Sequence, residues 1–178
     1  MKYLNGTMEL VLTLRANNLH ILLWYVDAAF AVHPNFRSHS GGMLTMGKGA
    51  IISGSKKQKL NTRSSTESEL VGADDFASIM LWAKLFLEAQ GYNITNNVLH
   101  QDNKSAILLE ENGKKSSGKR TRHLNIRYFF LTDQVQKKNL SVVYCPTDAM
   151  TADYFTKPLQ GAKFQKFRAL ILGMEENG

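Results

Sequence analysis

Between Ile21 and Val32 the chain is apolar except at one residue, Asp27. The wider segment Leu19 to Val32 is rich in aromatic and branched side chains on both alternations, the pattern of a central strand covered on both faces. A carboxylate in such a strand is costly unless a cation or a metal accompanies it. Any fold for this chain must therefore account for Asp27. The strictly apolar part, Ile21 to Val26, is far short of the roughly 20 residues that cross a bilayer, so no membrane role is expected.

The glycines around Gly41-Gly42 and Gly47-Lys48-Gly49 punctuate the next stretch and leave Met43 to Met46 and Ala50 to Ser53 as two short strands. The period then changes to a helical one from Ser64 to Gln90. Ser64-x-x-Glu67 is a capping box at its start, and Gly91 is the C′ glycine at its end. Asn97 to Gln101 reads as a fourth strand, followed by a helix opening near Asn103 or Lys104. Ser116 to Gly118 is a flexible break and Arg122 to Lys138 a helix. Leu140 to Tyr144 is a fifth strand, stopped by Pro146. Ala149 to Thr156 looks helical, and Phe164 to Leu172 forms a last amphipathic helix. The order β-β-β-α-β-α-α-β-α predicts an α/β fold. Its five-stranded mixed sheet, an antiparallel meander then parallel strands, carries helices on both faces.

Two further acids stand out. At 100° per residue from Glu69, the residues Gly72, Ala73, Phe76, Met80, Ala83 and Leu87 fall within about 60°, so Glu69 begins the stripe that presses on the sheet. Glu67 falls about 160° away with Asp74 and Ser78, on a face that can be wet. Asp102 ends the fourth strand. It also suits a helix cap, and Glu69 a first-turn Glu favoured by the helix dipole. Taken together they suggest a different reading: strand ends and helix starts meet at one edge of an α/β sheet, where sites form, and Asp27, Glu69 and Asp102 are expected to converge there. Carboxylates converging there repel one another unless a hard cation lies between them, and oxygen-only ligands suit Mg²⁺ or Mn²⁺. Two such ions can activate a water and stabilise the leaving oxygen of a phosphodiester.

Charge placement agrees. The net charge is +7, and no acid occurs from Ala28 to Thr66 or from Asn112 to Thr132. Those stretches carry Lys56, Lys57, Lys114, Lys115, Lys119, Arg120 and Arg122, suited to phosphates or simply to solvent. Cys145 is the sole cysteine, so there is no disulfide partner, and a reducing intracellular compartment is the natural reading.

Seven motifs then occur in order: Tyr25-Val-Asp-Ala-Ala-Phe30, Ser55-Lys-Lys-Gln-Lys59, Ser64-Ser-Thr-Glu-Ser-Glu-Leu70, Gln101-Asp-Asn-Lys-Ser-Ala-Ile107, Arg120-Thr-Arg-His-Leu-Asn-Ile-Arg127, Tyr144-Cys-Pro-Thr147 and Ala152-Asp-Tyr-Phe-Thr-Lys-Pro-Leu159. This set resembles the ribonuclease H domain of copia-type LTR retrotransposon polyproteins. The resemblance implies a ribonuclease H-like fold and metal-dependent hydrolysis of the RNA strand of RNA–DNA hybrids. It implies catalytic, metal-holding acids at Asp27, Glu69, Asp102 and Asp153, with two Mg²⁺ ions and Mn²⁺ as a substitute. Asp153 rests on the resemblance, since by composition Asp148 competes with it. Departures from the family pattern are Ala29 and Phe30 after the first acid, and Leu70 after the helix Glu.

Ser65, Asn103 and Ser105 are candidate contacts to the 2′-hydroxyl, the group that marks RNA. Lys56, Lys57, Lys114, Lys115, Lys119, Arg120 and Arg122 are candidate phosphate contacts, and His123 is either a substrate contact or structural. The resemblance implies three parts: 1–17, a remnant of the reverse transcriptase connection; 18–157, the ribonuclease H domain; and 158–178, a C-terminal amphipathic helix and tail. The implied partners are the hybrid and the reverse transcriptase domain of the same polyprotein. The implied location is cytoplasmic, including retrotransposon particles, with the nucleus as an alternative. Two other readings are a catalytically silent nucleic-acid-binding remnant and an integrase- or transposase-type member of the same fold.

Overall fold

The computed structural model describes residues 2–113 and 125–174. A single helical turn, α1 (Lys2–Asn5), and a short strand, β1 (Arg15–Ala16), precede the apolar run, which becomes β2 (Ile21–Ala29). Then come β3 (His39–Thr45), β4 (Gly47–Lys48) and β5 (Ile52–Lys57). The long helix α2 (Ser65–Ala89), β6 (Asn96–Gln101), α3 (Lys104–Asn112), α4 (Asn125–Gln136) and β7 (Ser141–Tyr144) follow. A 3₁₀ turn (Thr147–Ala149) leads to α5 (Asp153–Thr156) and α6 (Gly161–Leu172).

The main sheet has the order β5-β3-β2-β6-β7, with β1 and β4 as a separate small ladder. β2 pairs antiparallel with β3 and β3 with β5, whereas β2 pairs parallel with β6 and β6 with β7. This is the expected meander joined to parallel strands, and it puts the Asp27 strand at the centre.

Packing on the sheet is asymmetric. Leu22, Trp24, Val26, Leu99 and Val142 form one core with Ala73, Phe76, Ala77, Met80 and Ala83 of α2 and Leu131 of α4. Trp24 is buried within it, its Nε1–H donated to Asn97 Oδ1 at 2.9 Å. The opposite alternation of β2 is not fully covered: Ile21, Leu23 and Tyr25 are half-buried, and only toward Asp27 does burial become complete. The strand is thus doubly covered at its C-terminal end alone, where α5 lies.

The strand β3 begins earlier than the glycine pattern suggests, and the reason is steric. A Cβ at Gly42 would sit 2.9 Å from the Phe76 ring of α2. One at Gly41 would sit 2.6 Å from Thr156 and 2.7 Å from Phe155 of α5. These glycines do not make a turn; they let helices press on both faces of one strand. Correspondingly, β5 runs on to Lys57 rather than ending at Ser53.

The helix α2 starts where the capping box placed it. Ser64 Oγ accepts from Glu67 N at 3.1 Å, and Glu67 Oε2 curls back to accept from Arg63 N at 2.7 Å. This bond explains why Glu67 is buried rather than on a wet face. The predicted helix at Ala149 to Thr156 is instead a 3₁₀ turn and the short α5. The break at Ser116 to Gly118 lies outside the described residues. Both flanking segments attach to the main unit, Asn17 N donating to Met46 O and Ala50 N to Ile171 O, and to each other, Thr13 N donating to Leu172 O, each at 2.8 Å; Phe167 of α6 is fully buried. Among the described residues no helix is long and apolar enough to cross a membrane.

Candidate active site

Asp27 pairs across the sheet with Gly41, so its carboxylate emerges on the α5 side near the C-terminal end of β2. Gly72 lets α2 approach that strand closely; a Cβ there would lie 3.3 Å from Ala28 Cβ. Glu69, one turn earlier, is thereby carried to the same edge. Asp102 follows β6, the parallel neighbour of β2. One carboxylate oxygen each from Asp27, Glu69 and Asp102 lie within 4.8 Å of one another. The three acids singled out by their odd positions are therefore brought together by three separate elements.

Their surroundings favour a bound cation. Asp27 and Glu69 are both buried. Burial, then the Asp27 and Asp102 charges, push the Glu69 carboxyl well above its ordinary value. Burial likewise raises Asp27, against the opposing pull of Lys157 and the Thr156 hydroxyl. Glu69 Oε2 is buried without a hydrogen-bond partner among the described residues. An all-oxygen donor set with an unsatisfied buried carboxylate oxygen fits a hard divalent ion. The acids fit the group that the sequence pattern implied.

Further residues orient the acids. Gln101 is fully buried, and its Oε1 accepts from Asp102 N at 2.9 Å and Asn103 N at 3.2 Å, turning the chain out of β6. The Thr147 hydroxyl donates to Asp102 Oδ2 at 3.2 Å, and the Thr156 hydroxyl donates to Asp27 Oδ2. Asp153 is buried at the start of α5, where Lys157 and Lys163 hold its two oxygens at 2.5 and 2.7 Å. Lys157 Nζ also lies 3.3 Å from Asp27 Oδ1. Burial works against the Lys157 charge, but Asp27 and Asp153 outweigh it and hold its pKa above the ordinary lysine value. Asp148 sits apart, exposed on the 3₁₀ turn.

Sequence reasoning passed over Gln101, Thr147, Thr156, Lys157 and Lys163. The first four lie inside quoted motifs, which is the signal that could have found them; Lys163 carries none.

The α5 backbone is braced from the sheet. Ser55 Oγ donates to the Phe155 carbonyl at 2.7 Å and lies 2.8 Å from His39 Nε2, and His39 Nδ1 lies 3.0 Å from His33 Nε2. A carbonyl only accepts, so His39 Nε2 carries the proton given to Ser55. His33 and His39 thus brace the α5 backbone through Ser55.

The predicted substrate contacts divide. Ser65 is exposed in the first turn of α2, and Lys57 and Ser105 are exposed as well. Asn103 caps α3, its Oδ1 accepting from Ser105 N and Ala106 N. Lys56 is turned onto the protein: its Nζ donates to Asp75 O at 2.8 Å and lies 5.1 Å from the centre of the Phe76 ring. Lys114, Lys115, Lys119, Arg120, Arg122 and His123 lie outside the described residues.

No protein-family model matches the chain. Over 178 residues it is 33% identical to the retrovirus-related Pol polyprotein from transposon TNT 1-94 of Nicotiana tabacum, a match covering 99% of the chain and 13% of that relative. Over 173 residues it is 35% identical to the Pol polyprotein from transposon RE1 of Arabidopsis thaliana, covering 96% of the chain and 12% of the relative. The chain thus spans about an eighth of the length of the curated relatives it matches. Among solved structures, it is similar to LC11-RNase H1 isolated from compost, with a TM-score of 0.55 at 13% identity, covering 75% of this chain and 91% of that one. That protein has also been solved in complex with an RNA/DNA hybrid, and the TM-score is again 0.55, at 13% identity over 75% of this chain and 92% of that one. The N-terminal RNase H domain of a Mycobacterium tuberculosis protein gives 0.50 at 14% identity, over 82% of this chain and 97% of that one. These likenesses establish the ribonuclease H fold.

Proposed function

We infer that this chain, related along nearly its whole length to a segment of the retrovirus-related Pol polyproteins of plant transposons and folded as a ribonuclease H, is a metal-dependent nuclease that hydrolyses the RNA strand of RNA–DNA hybrids during reverse transcription. The observation that carries the reading is the convergence of Asp27, Glu69 and Asp102 at one sheet edge, with a buried Glu69 oxygen left unpaired.

Asp27, Glu69 and Asp102 would hold divalent cations, with Asp153 as a fourth acid; the hardness of the donors suits Mg²⁺, with Mn²⁺ as a substitute. Two bound ions would supply Lewis acidity, lowering the pKa of a water and offsetting charge on the departing oxygen. The chain's own contribution is position. Thr156 fixes one oxygen of Asp27, and Gln101 and Thr147 fix Asp102. Asn103 Oδ1 is committed to its cap, so its amide NH₂ is the group left to donate to a ribose 2′-hydroxyl, with the exposed Ser65 and Ser105 as further contacts. Lys57 and the basic stretch with Lys114, Lys115, Lys119, Arg120 and Arg122 supply largely sequence-independent phosphate binding. The reverse transcriptase of the same polyprotein is the natural partner, and an intracellular particle the natural setting.

The test is a gel assay on hybrids labelled on either strand, with Mg²⁺, Mn²⁺ or EDTA. The reading expects fragments of the RNA strand alone, and only with metal. Hybrid binding without cutting would identify a silent remnant instead, and cutting of the DNA strand would point to the integrase-type class.

A further inference from the structure

The fourth acid differs from the other three in having a lysine ammonium on each of its oxygens. Asp153 Oδ1 accepts from Lys157 Nζ at 2.5 Å and Oδ2 from Lys163 Nζ at 2.7 Å. The two lysines are not equivalent. Lys163 reaches from α6, donates also to Thr147 O at 3.4 Å and lies 5.3 Å from the Phe167 ring centre. Lys157 follows α5 directly and bridges: its ammonium lies 3.3 Å from Asp27 Oδ1, the oxygen that Thr156 leaves free. It therefore links the three-acid cluster to Asp153. Its side chain is 37% exposed, so the ammonium has a route to water, whereas Asp27 and Asp153 are almost wholly buried.

We propose that Lys157 is a tethered cation, held between Asp27 and Asp153 in the metal-free protein, which separates the affinities of the site for its first and second divalent ions. This rests on reading the three acids as a metal site. A first ion needs only Asp27, Glu69 and Asp102, none of which gives up a lysine contact except one oxygen of Asp27. A second ion that draws on Asp153 must displace the ammonium, because two cations cannot share so small a gap without strong repulsion. The displaced side chain gives up its contact with Asp153 Oδ1, the shorter of its two, and that cost falls on the second ion alone. Lys157 is thus a positioning residue that makes loading sequential.

Mn²⁺ binding to the full chain, by calorimetry with free-ion counting by electron paramagnetic resonance, tests this on the wild type, Lys157→Met, Lys157→Arg and Lys163→Met. The expected result is a first ion bound at least tenfold more tightly than the second in the wild type. Lys157→Met should tighten the second ion at least tenfold and change the first less than threefold. Lys157→Arg should behave as wild type, and Lys163→Met should shift the second ion less than Lys157→Met does. If the wild type binds no ion, the metal-site reading fails and the proposal with it. If the first ion binds but Lys157→Met leaves the second no tighter, the proposal alone is overturned. Should Lys157→Met not fold, Mg²⁺ titration of the wild type followed by lysine side-chain nitrogen resonances decides. The Lys157 ammonium should lose its protection from solvent exchange only at concentrations that load the second ion, and unchanged protection throughout would overturn the proposal.

Discussion

Glu110 of α3 is fully buried beside the Leu70, Ala106 and Leu109 cluster, and neither of its oxygens has a hydrogen-bond partner among the described residues. Burial, reinforced by Glu111, pushes its carboxyl from the ordinary value of 4.5 up to about 8. The folded state therefore holds the group protonated at pH 7 while the unfolded chain ionises it. A raised carboxyl contributes stability below pH 4.5 that is lost as pH rises toward about 8. Between pH 5 and pH 7 the loss is about 2.5 kcal/mol, at up to about 1.36 kcal/mol per pH unit. Glu110→Gln removes the titration and keeps the shape. The Tm difference, variant minus wild type, should grow by roughly 5–10 °C over that interval, at about 2–4 °C per kcal/mol for a chain of this size. Thermal unfolding followed by circular dichroism in EDTA measures it. A Tm difference that stays flat from pH 5 to pH 7 would show that Glu110 does not titrate in this way.

Substitutions at four positions probe the site's construction. Asp148→Ala should leave hybrid cleavage near wild type, whereas Asp153→Ala should cut it strongly and lower the metal-free Tm, since it strands Lys157 and Lys163; equal activity in the two would reject Asp153 as the fourth acid. Gly41→Ala forces a Cβ to 2.6 Å from Thr156 Cγ2 and 2.7 Å from Phe155 Cβ, so urea unfolding should show a loss of about 1–3 kcal/mol together with reduced cleavage. Thr156→Val removes the donor to Asp27 and should cost about 1.5–3 kcal/mol in the same urea assay, the range for a bond to a charged group, while Thr156→Ser should largely restore the loss.

Much of this was legible in the chain because it rests on local rules. The capping box at Ser64 and the glycine at Gly91 bound α2 within a residue. Asp27, Glu69 and Asp102 were conspicuous because each breaks a packing pattern, and the fold explains all three with one cluster. What was missed depends on tertiary partners. Gly41 and Gly42 have the composition of a turn, and only Phe76 on one side and Phe155 and Thr156 on the other show them to be strand residues pressed from both faces. Glu67 has a solvent-facing angle, but its carboxylate bends back to Arg63 N, a choice that helix periodicity does not encode. Gln101 and Lys157 are ordinary polar residues until the chain brings Asp102, Asp27 and Asp153 to them.

The account's central claim is that the carboxylate cluster performs phosphodiester hydrolysis. Single-turnover cleavage of a labelled RNA–DNA hybrid in Mg²⁺, with hybrid affinity measured in parallel, compares wild type with Asp102→Asn, which keeps the side chain's size and removes its charge. The account predicts that hybrid binding persists while the cleavage rate falls by about 10²-fold or more, the order expected when one charge aimed at the reacting group is lost. Cleavage by Asp102→Asn at the wild-type rate would contradict it.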